Sequence, residues 1–453
     1  MKNLHSQSGE RISAHPVLKQ AQKVLQSKNI KDFELFYSGR SVTKVEAKEG
    51  KIDSLTRAED VGLAVRVIRD QKLGFSFTTS IEDTQVERAV LSAIEVAELM
   101  PKDENIGFAN FKKHQYFSEK PAAKPSSTEA KVEAALWLEK LCLKADPRIQ
   151  RVRQATVSET EYVSAMMDPS GNIIDESGCI VSASVSCKAE ENGEGQMGGD
   201  YGFGYQISDL KLPEIANEAA RTATELLGAG STETMKCPAV IRNSVVSDLL
   251  GFLSGSFSAE EFDKGRSLLA GKMGQKIFAE CVNLIDDGRL PGGLGTGVFD
   301  GEGVPAQTTP LVQNGVMKNW ISDLYHSKKL GIPATGNASR SIKAQPSIST
   351  TNLVMPAGKT PFDQMIGSID RGILIVDLMG VHTANPVTGD FSLGASGILI
   401  ESGKLTRPVR GFAVAGNVLD LFAKITDIGS DQRSFGSVWC PSIRIAELSV
   451  GGQ

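Results

Sequence analysis

The five histidines, His5, His15, His114, His326 and His382, lie ten residues or more apart, so no HExxH, HExxxH or HxH spacing occurs. A zinc site needs three or four protein ligands; here one would have to be assembled by folding alone from His326, His382, Cys440 and carboxylates. His382 lies in MGVHTANPVTGDFS, a polar loop directly after an apolar run, and shares it with Asn385, Thr388 and Asp390. Of the histidines it is the better candidate for binding or acid–base work. His326, in DLYHSKKLG, reads as the edge of a helix or lysine-rich turn. Four acids, Asp286, Asp287, Asp300 and Glu302, stand on the glycine-rich stretch DDGRLPGGLGTGVFDGEGVP. Such carboxylates either hold a divalent ion, exchange protons, or cap the turns they flank. The glycines do not make a phosphate cradle, because the segment after Gly297 is strand-like, ends in Pro305 and lacks GK[ST]. A serine nucleophile has no GxSxG elbow; GASG (394–397) and SGSFS (254–258) are weak look-alikes. The six cysteines include no CxxC pair and read as buried, reduced thiols.

These residues must be positioned by a chain of 453 residues carrying a formal charge of −5, 40% apolar content and 45 glycines. At roughly 150 residues per domain the length suggests about three domains. The acidic balance gives no footprint for direct nucleic-acid binding. No apolar run approaches the ~20 residues that span a bilayer, and MKNLHSQSGERISAHP has no apolar run long enough for a signal peptide, so none is expected. A cytoplasmic protein without membrane contact is expected.

Along the chain, a helix is predicted over 16–26, then β-type runs at 33–38, 42–47, 52–57, 61–69 and 73–78, joined by tight turns such as EGK and RDQK. Asp83 is expected to cap a helix that Pro101 stops. A polar linker containing Pro121 and Pro125 comes next. The plan then recurs: a helix with Ser126 and Glu129 at capping-box spacing, strands over 149–208, and a helix over 213–227. Beyond 232 come a helix at 244–256, another at 361–369 capped by Thr360, and β-type segments including 298–311, 316–320, 398–401, 408–415 and 443–450. The expected fold is α+β: two helix-plus-antiparallel-sheet domains, 1–118 and 119–231, before a large β-rich domain, 232–453.

The third region carries GRSLLAGKMGQKIF, LIDDG, FDGEGVPAQ, LVQNGVMKNW, KKLGIPATGNASR, TNLVMPAGKTP, NPVTGDFSLGASGILIESGKLTRPVRG and RIAELSVGG, in that order. With the N-terminal run EGKIDSLTRAEDVGLAVRVIRDQKLGFSFTTS, these phrases resemble the TldD/PmbA family, described both as modulators of DNA gyrase and as metallopeptidases. The resemblance implies two kinds of subunit. The TldD type carries HExxxH on the first helix of the third domain. Counting back from Gly265, those positions here are Leu250, Gly251 and Gly255, which supply neither a zinc ligand nor a base. Cys440 does not match the position of the cysteine that TldD-type chains use. The chain therefore resembles the PmbA (TldE) type: it would bind no metal itself, and zinc is expected in a TldD-type partner with which it forms a heterodimer. On this reading it helps enclose a chamber for unfolded or extended peptide, lined by loops carrying Asn337, Arg340, His382, Asn385, Thr388 and Asp390. Two alternatives stay open: an independent homodimeric metallopeptidase with unorthodox ligands, and a non-enzymatic modulator of DNA gyrase or of a toxin–antitoxin pair.

Overall fold

The computed structural model describes residues 14–120 and 124–452. The first 13 residues, read above as free of a signal peptide, and Pro121 of the expected linker lie outside them. The fold is α+β.

Two units of one plan open the chain. The first is α1 (Ala14–Ser27), β1 (Asp32–Lys48), β2 (Lys51–Arg69), β3 (Lys72–Thr78) and α2 (Asp83–Leu99). The second is α3 (Thr128–Ala145), β4 (Ile149–Met167), β5 (Ile173–Glu191), β6 (Glu194–Gly204) and α4 (Leu212–Thr224). Their strands form one antiparallel sheet in the order β3-β2-β1-β4-β5-β6, symmetric about the β1–β4 seam. The hairpin turns Glu49-Gly50, Asp70-Gln71 and Asn192-Gly193 each place two consecutive residues at positive φ, the geometry that matches the strand twist. The five short runs predicted before residue 80 are three strands. Residues 39–41 and 58–60 do not break them, because each backbone there is paired across the sheet.

Strand alternation assigns the two faces. Leu35, Tyr37, Leu63 and Val65 pack under α1 and α2, while Val157, Val181, Val185 and Cys187 pack under α3 and α4. The outer strands let helices approach through glycine. A Cβ on Gly74 would lie 1.9 Å from the Ala93 carbonyl of α2, and one on Gly198 2.2 Å from the Ala223 amide of α4. Phe36, Ala64 and Met166 point the other way and meet Phe111 and Phe299.

The remaining elements are β7 (Met235–Ile241), α5 (Asn243–Ser254), α6 (Ala259–Asp263), β8 (Leu284–Asp287), β9 (Thr308–Gln313), β10 (Val316–Met317) and α7 (Leu324–Leu330). They continue with β11 (Ala338–Ser339), β12 (Ser347–Ile348), β13 (Leu353–Val354), α8 (Phe362–Gly367), β14 (Arg371–Met379), β15 (Asp390–Glu401) and β16 (Lys404–Asn417). Last come α9 (Val418–Ala423), β17 (Ile425–Ile428), β18 (Arg433–Phe435), β19 (Val438–Cys440) and β20 (Ile443–Gly451). One sheet runs β16-β15-β14-β7-β20-β17, and an extra β16–β20 pairing closes it. A second runs β10-β9-β8-β13-β19-β18. Between them lies the largest core, into which α5 sends Val245, Val246, Leu249, Leu250 and Leu253.

Three local expectations are corrected. Residues 298–307 are turns rather than strand, because the Asp300 carboxylate accepts from the Glu302 and Val304 amides and curls the chain. Thr360 does not cap α8; Pro361 occupies that position and the Thr360 hydroxyl bonds Asp427 at 3.0 Å. The cap of α3 is Ser127, accepting from the Ala130 amide at 3.1 Å, one residue later than the spacing suggested.

Candidate functional site: the open face of the fifth helix

Helix α5 comes directly after β7, and its run SVVSDLLGFLSG is apolar on one side. Leu250 is fully buried in the core. Asp248 and Gly251 sit on the opposite side and are exposed, with Gly255 just past the helix end on the same line. Residues three and four apart share a helix face, so 248, 251 and 255 form one stripe. A Cβ built on Gly251 or Gly255 meets nothing within 4 Å. The helix therefore presents bare backbone beside a single carboxylate.

Several elements pack around this helix. The 3-10 turn Val381–Thr383, β18 and β19 all pack against α5. Neighbouring protein partly desolvates the exposed Asp248 and raises its carboxyl above the usual range, and the Asp377 carboxylate on β14 adds repulsion. Asp377 is raised in turn by its own burial. Arg242, at the helix start, makes a bidentate pair with Glu225 at 2.7 and 3.0 Å, fixing α5 to the end of α4. Arg433 on β18 donates to Asp200 at 2.6 Å and to the Tyr201 carbonyl at 3.1 Å, so edge strands of two sheets meet beside α5. Burial pushes the Asp200 carboxyl up to about 6 against the pull of Arg433.

The residues present do not fit a catalytic metal. Leu250 offers no ligand and faces the core, while Gly251 and Gly255 have no side chain. Cys440 is buried, donates its thiol hydrogen to the Asn243 carbonyl at 3.2 Å, and is pushed far up by burial, then by Asp431 and Asp248. Among the described residues no three His, Cys, Asp or Glu side chains converge as a metal site.

The six residues expected to handle substrate fall into two groups. Asn385, Thr388 and Asp390 are brought together. The Asn385 side chain accepts from the Val387 and Thr388 amides at 2.9 and 3.1 Å, and Asn417 bridges the Thr388 carbonyl to the Asp390 carboxylate at 2.8 and 2.9 Å. His382 is exposed on the turn beside α5 that leads into this loop. Asn337 and Arg340 are elsewhere. Asn337 is buried and donates to Asp286 at 2.6 Å and to the Ser349 carbonyl at 3.0 Å. Arg340 is enclosed beneath the N-terminal sheet, paired with Glu34 and lying 4.6 Å from the Phe36 ring centroid.

The acids of the glycine-rich stretch shape the chain around them. Asp286 gathers Asn337 and Thr351, and burial pushes it up to about 6. Asp300 is pushed up to about 7, chiefly by burial. Glu302 takes Arg66 at 3.1 Å and the Leu324 amide at 2.9 Å. Sequence reasoning missed Asp248, Asp377 and the Asp200–Arg433 pair. Asp248 had a signal, as a lone acid three residues before Gly251 in an otherwise apolar helix; the others meet only through folding.

Residues 33–97 match the PmbA/TldA metallopeptidase domain 1, 122–227 the central domain, and 234–452 the C-terminal domain. The chain is 26% identical to the metalloprotease PmbA of Escherichia coli O157:H7 over 90% of both chains. It is 26% identical to a TldD homologue of Haemophilus influenzae, covering 95% of this chain and 94% of that one. In fold it is similar to TldE from Thermococcus kodakarensis, with a TM-score of 0.87, 23% identity, and coverage of 96% and 99%. A candidate DNA gyrase modulator from Thermotoga maritima matches with a TM-score of 0.84, 23% identity, and coverage of 97% and 100%. Three family domains in order over nearly the whole length, with relatives matched almost end to end, make this chain a member of the PmbA/TldD metallopeptidase family.

Proposed function

We propose that this chain is the PmbA/TldE-type subunit of a two-chain peptidase, working in the cytoplasm, whose TldD-type partner supplies the zinc. The single observation that carries the reading is the stripe on α5. Where a metal-binding helix would project ligands, this one buries Leu250 and leaves Gly251 and Gly255 open.

Such a surface suits an extended peptide. Glycine lets a second backbone approach closely, and main-chain hydrogen bonds hold a strand with little sequence preference. Asp248 and Asp377 supply acceptors at the floor, and the His382–Asp390 loop forms part of the rim. Asn337 and Arg340 act at a distance, by fixing the loops between the glycine-rich stretch and the N-terminal sheet.

The test is co-expression of this chain with an HExxxH-containing relative from the same genome. Cleavage of a denatured protein is measured for each chain alone and for the pair, with metal analysis of each. Zinc in the partner and strong cleavage only by the pair are expected. Stoichiometric zinc in this chain, together with hydrolysis by it alone, would overturn the proposal.

A further inference from the structure

A cavity of about 280 Å³ opens between the N-terminal sheet and the third region, with none of the stripe residues 248, 251 and 255 among its walls. His326, on α7, is among its walls and is only 7% exposed. Its Nδ1 lies 2.8 Å from Asp323 Oδ1, which also accepts the His326 amide at 2.7 Å. A carboxylate only accepts, so Nδ1 carries the hydrogen, and in the uncharged ring Nε2 keeps a lone pair. Nε2 has no protein partner among the described residues, nor has Asp323 Oδ2, and Asp323 also lines the cavity.

The walls decide what fits. Asp103, Glu260, Glu302 and Asp323 supply four carboxylates, against one guanidinium, Arg66. Arg66 has its Nη1 committed to Glu34 and Glu302 and its Nε sealed from the cavity, and four carboxylates around one guanidinium leave the walls net negative, which disfavours an anion. A divalent cation lacks a converging set of ligands among the described residues. Leu73, Met100 and Ile106 add aliphatic surface to the walls. Free acceptors together with aliphatic wall residues fit a donor-only head on an alkyl chain.

We propose that this cavity binds an alkylammonium group, with its N–H donors received by His326 Nε2 and Asp323 Oδ2 and its methylenes against Leu73, Met100 and Ile106. A free amine or diamine carries this group, and so does a lysine side chain of a peptide. The site goes beyond the subunit assignment and stands without it.

The purified full chain is titrated calorimetrically with n-pentylamine, 1,5-diaminopentane and an N-acetyl-lysine amide peptide, with n-pentanol and pentanoate as controls. Saturable binding of an amine without binding of the controls is expected. Tighter binding of the peptide identifies a lysine side chain as the ligand, whereas tighter binding of the diamine identifies a free amine. Asp323→Asn keeps the helix cap but turns an acceptor into a donor, and His326→Gln removes the imidazole. Each should weaken binding about tenfold or more, the loss expected for one charge-assisted hydrogen bond. The imidazole ¹⁵N signals of His326 should shift on titration with amine. The proposal falls if no amine binds saturably, if pentanol or pentanoate binds as well, or if a folded Asp323→Asn chain binds the amines undiminished.

Discussion

Arg340 and Glu34 are 306 residues apart in sequence, yet their side chains form an ion pair from which solvent is almost wholly excluded, each being 1% exposed. Arg66 also reaches Glu34, at 3.4 Å, and Glu302 at 3.1 Å, so two guanidiniums and two carboxylates neutralise one another where β1 and β2 face the third region. Removing one member leaves a buried charge uncompensated. Arg340→Met should therefore lower unfolding free energy by about 3–5 kcal/mol, read from the urea midpoint. An unchanged midpoint would show that the pair holds nothing together.

Asp200 gives the junction beside α5 a pH dependence. Its folded value, about 6, lies above the ~3.9 of an unfolded aspartate. Between those values the folded chain binds more protons than the unfolded one, so this group's contribution to stability falls as pH rises. The cost is complete above the folded value. Asp200→Asn does not titrate, so its stability relative to the parent should rise by up to about 3 kcal/mol between pH 4 and 7. Thermal melts across that range measure it, and parallel profiles for the two chains would refute it.

Substitutions at Gly251 test the proposed peptide surface apart from stability. Gly251 has helical backbone and open space around a would-be Cβ, so Gly251→Ala should stabilise by about 0.5–1 kcal/mol through helix propensity. Gly251→Phe also meets no protein atom at Cβ but covers the floor. It should leave folding intact while cutting cleavage by the two-chain complex several-fold. Full activity of the Phe variant would remove the stripe from the substrate path.

The loop beyond His382 is held by side-chain acceptors. Asn385→Ala frees the Val387 and Thr388 amides, and Asp390→Ala frees Asn417. Each should cost about 1 kcal/mol at most, since the groups are exposed, and both should reduce peptide cleavage by the complex. Unaltered cleavage in both variants would mean that the loop does not touch substrate.

Turns were the most legible part of the fold. Glu49-Gly50, Asp70-Gln71, Asn314-Gly315 and Ser402-Gly403 all fall where short polar or glycine-containing pairs separate apolar runs, and all adopt positive φ. Strand lengths were less legible. Gly39 and Ser41 look like interruptions in one dimension, yet partners on both sides hold β1 straight through them. The lack of an HExxxH spacing was plain in the sequence, whereas the burial of Leu250 beside two open glycines emerges only from the fold. His326 was read as the edge of a helix or lysine-rich turn and lies in the first turn of α7; its burial against Asp323 had no mark in the sequence. Asn337 and Arg340 carried no sequence mark of burial, since Glu34 and Asp286, their partners, come from strands far away in the chain.

The β1–β4 seam has a mechanical consequence. Thirteen consecutive residue pairs from Leu35↔Met167 to Ala47↔Ala155 weld the two N-terminal units into one plate. Bending that plate would break a ladder of backbone bonds, so it resists hinging at its middle. The plate meets the third region at the ion pairs Glu34–Arg340 and Asp200–Arg433, so any relative movement of the two parts must strain those joints. Those joints are ionic and accompany the apolar contact of Phe36, Ala64 and Met166 with Phe299, so separating the plate from the third region costs both ion pairing and buried apolar surface.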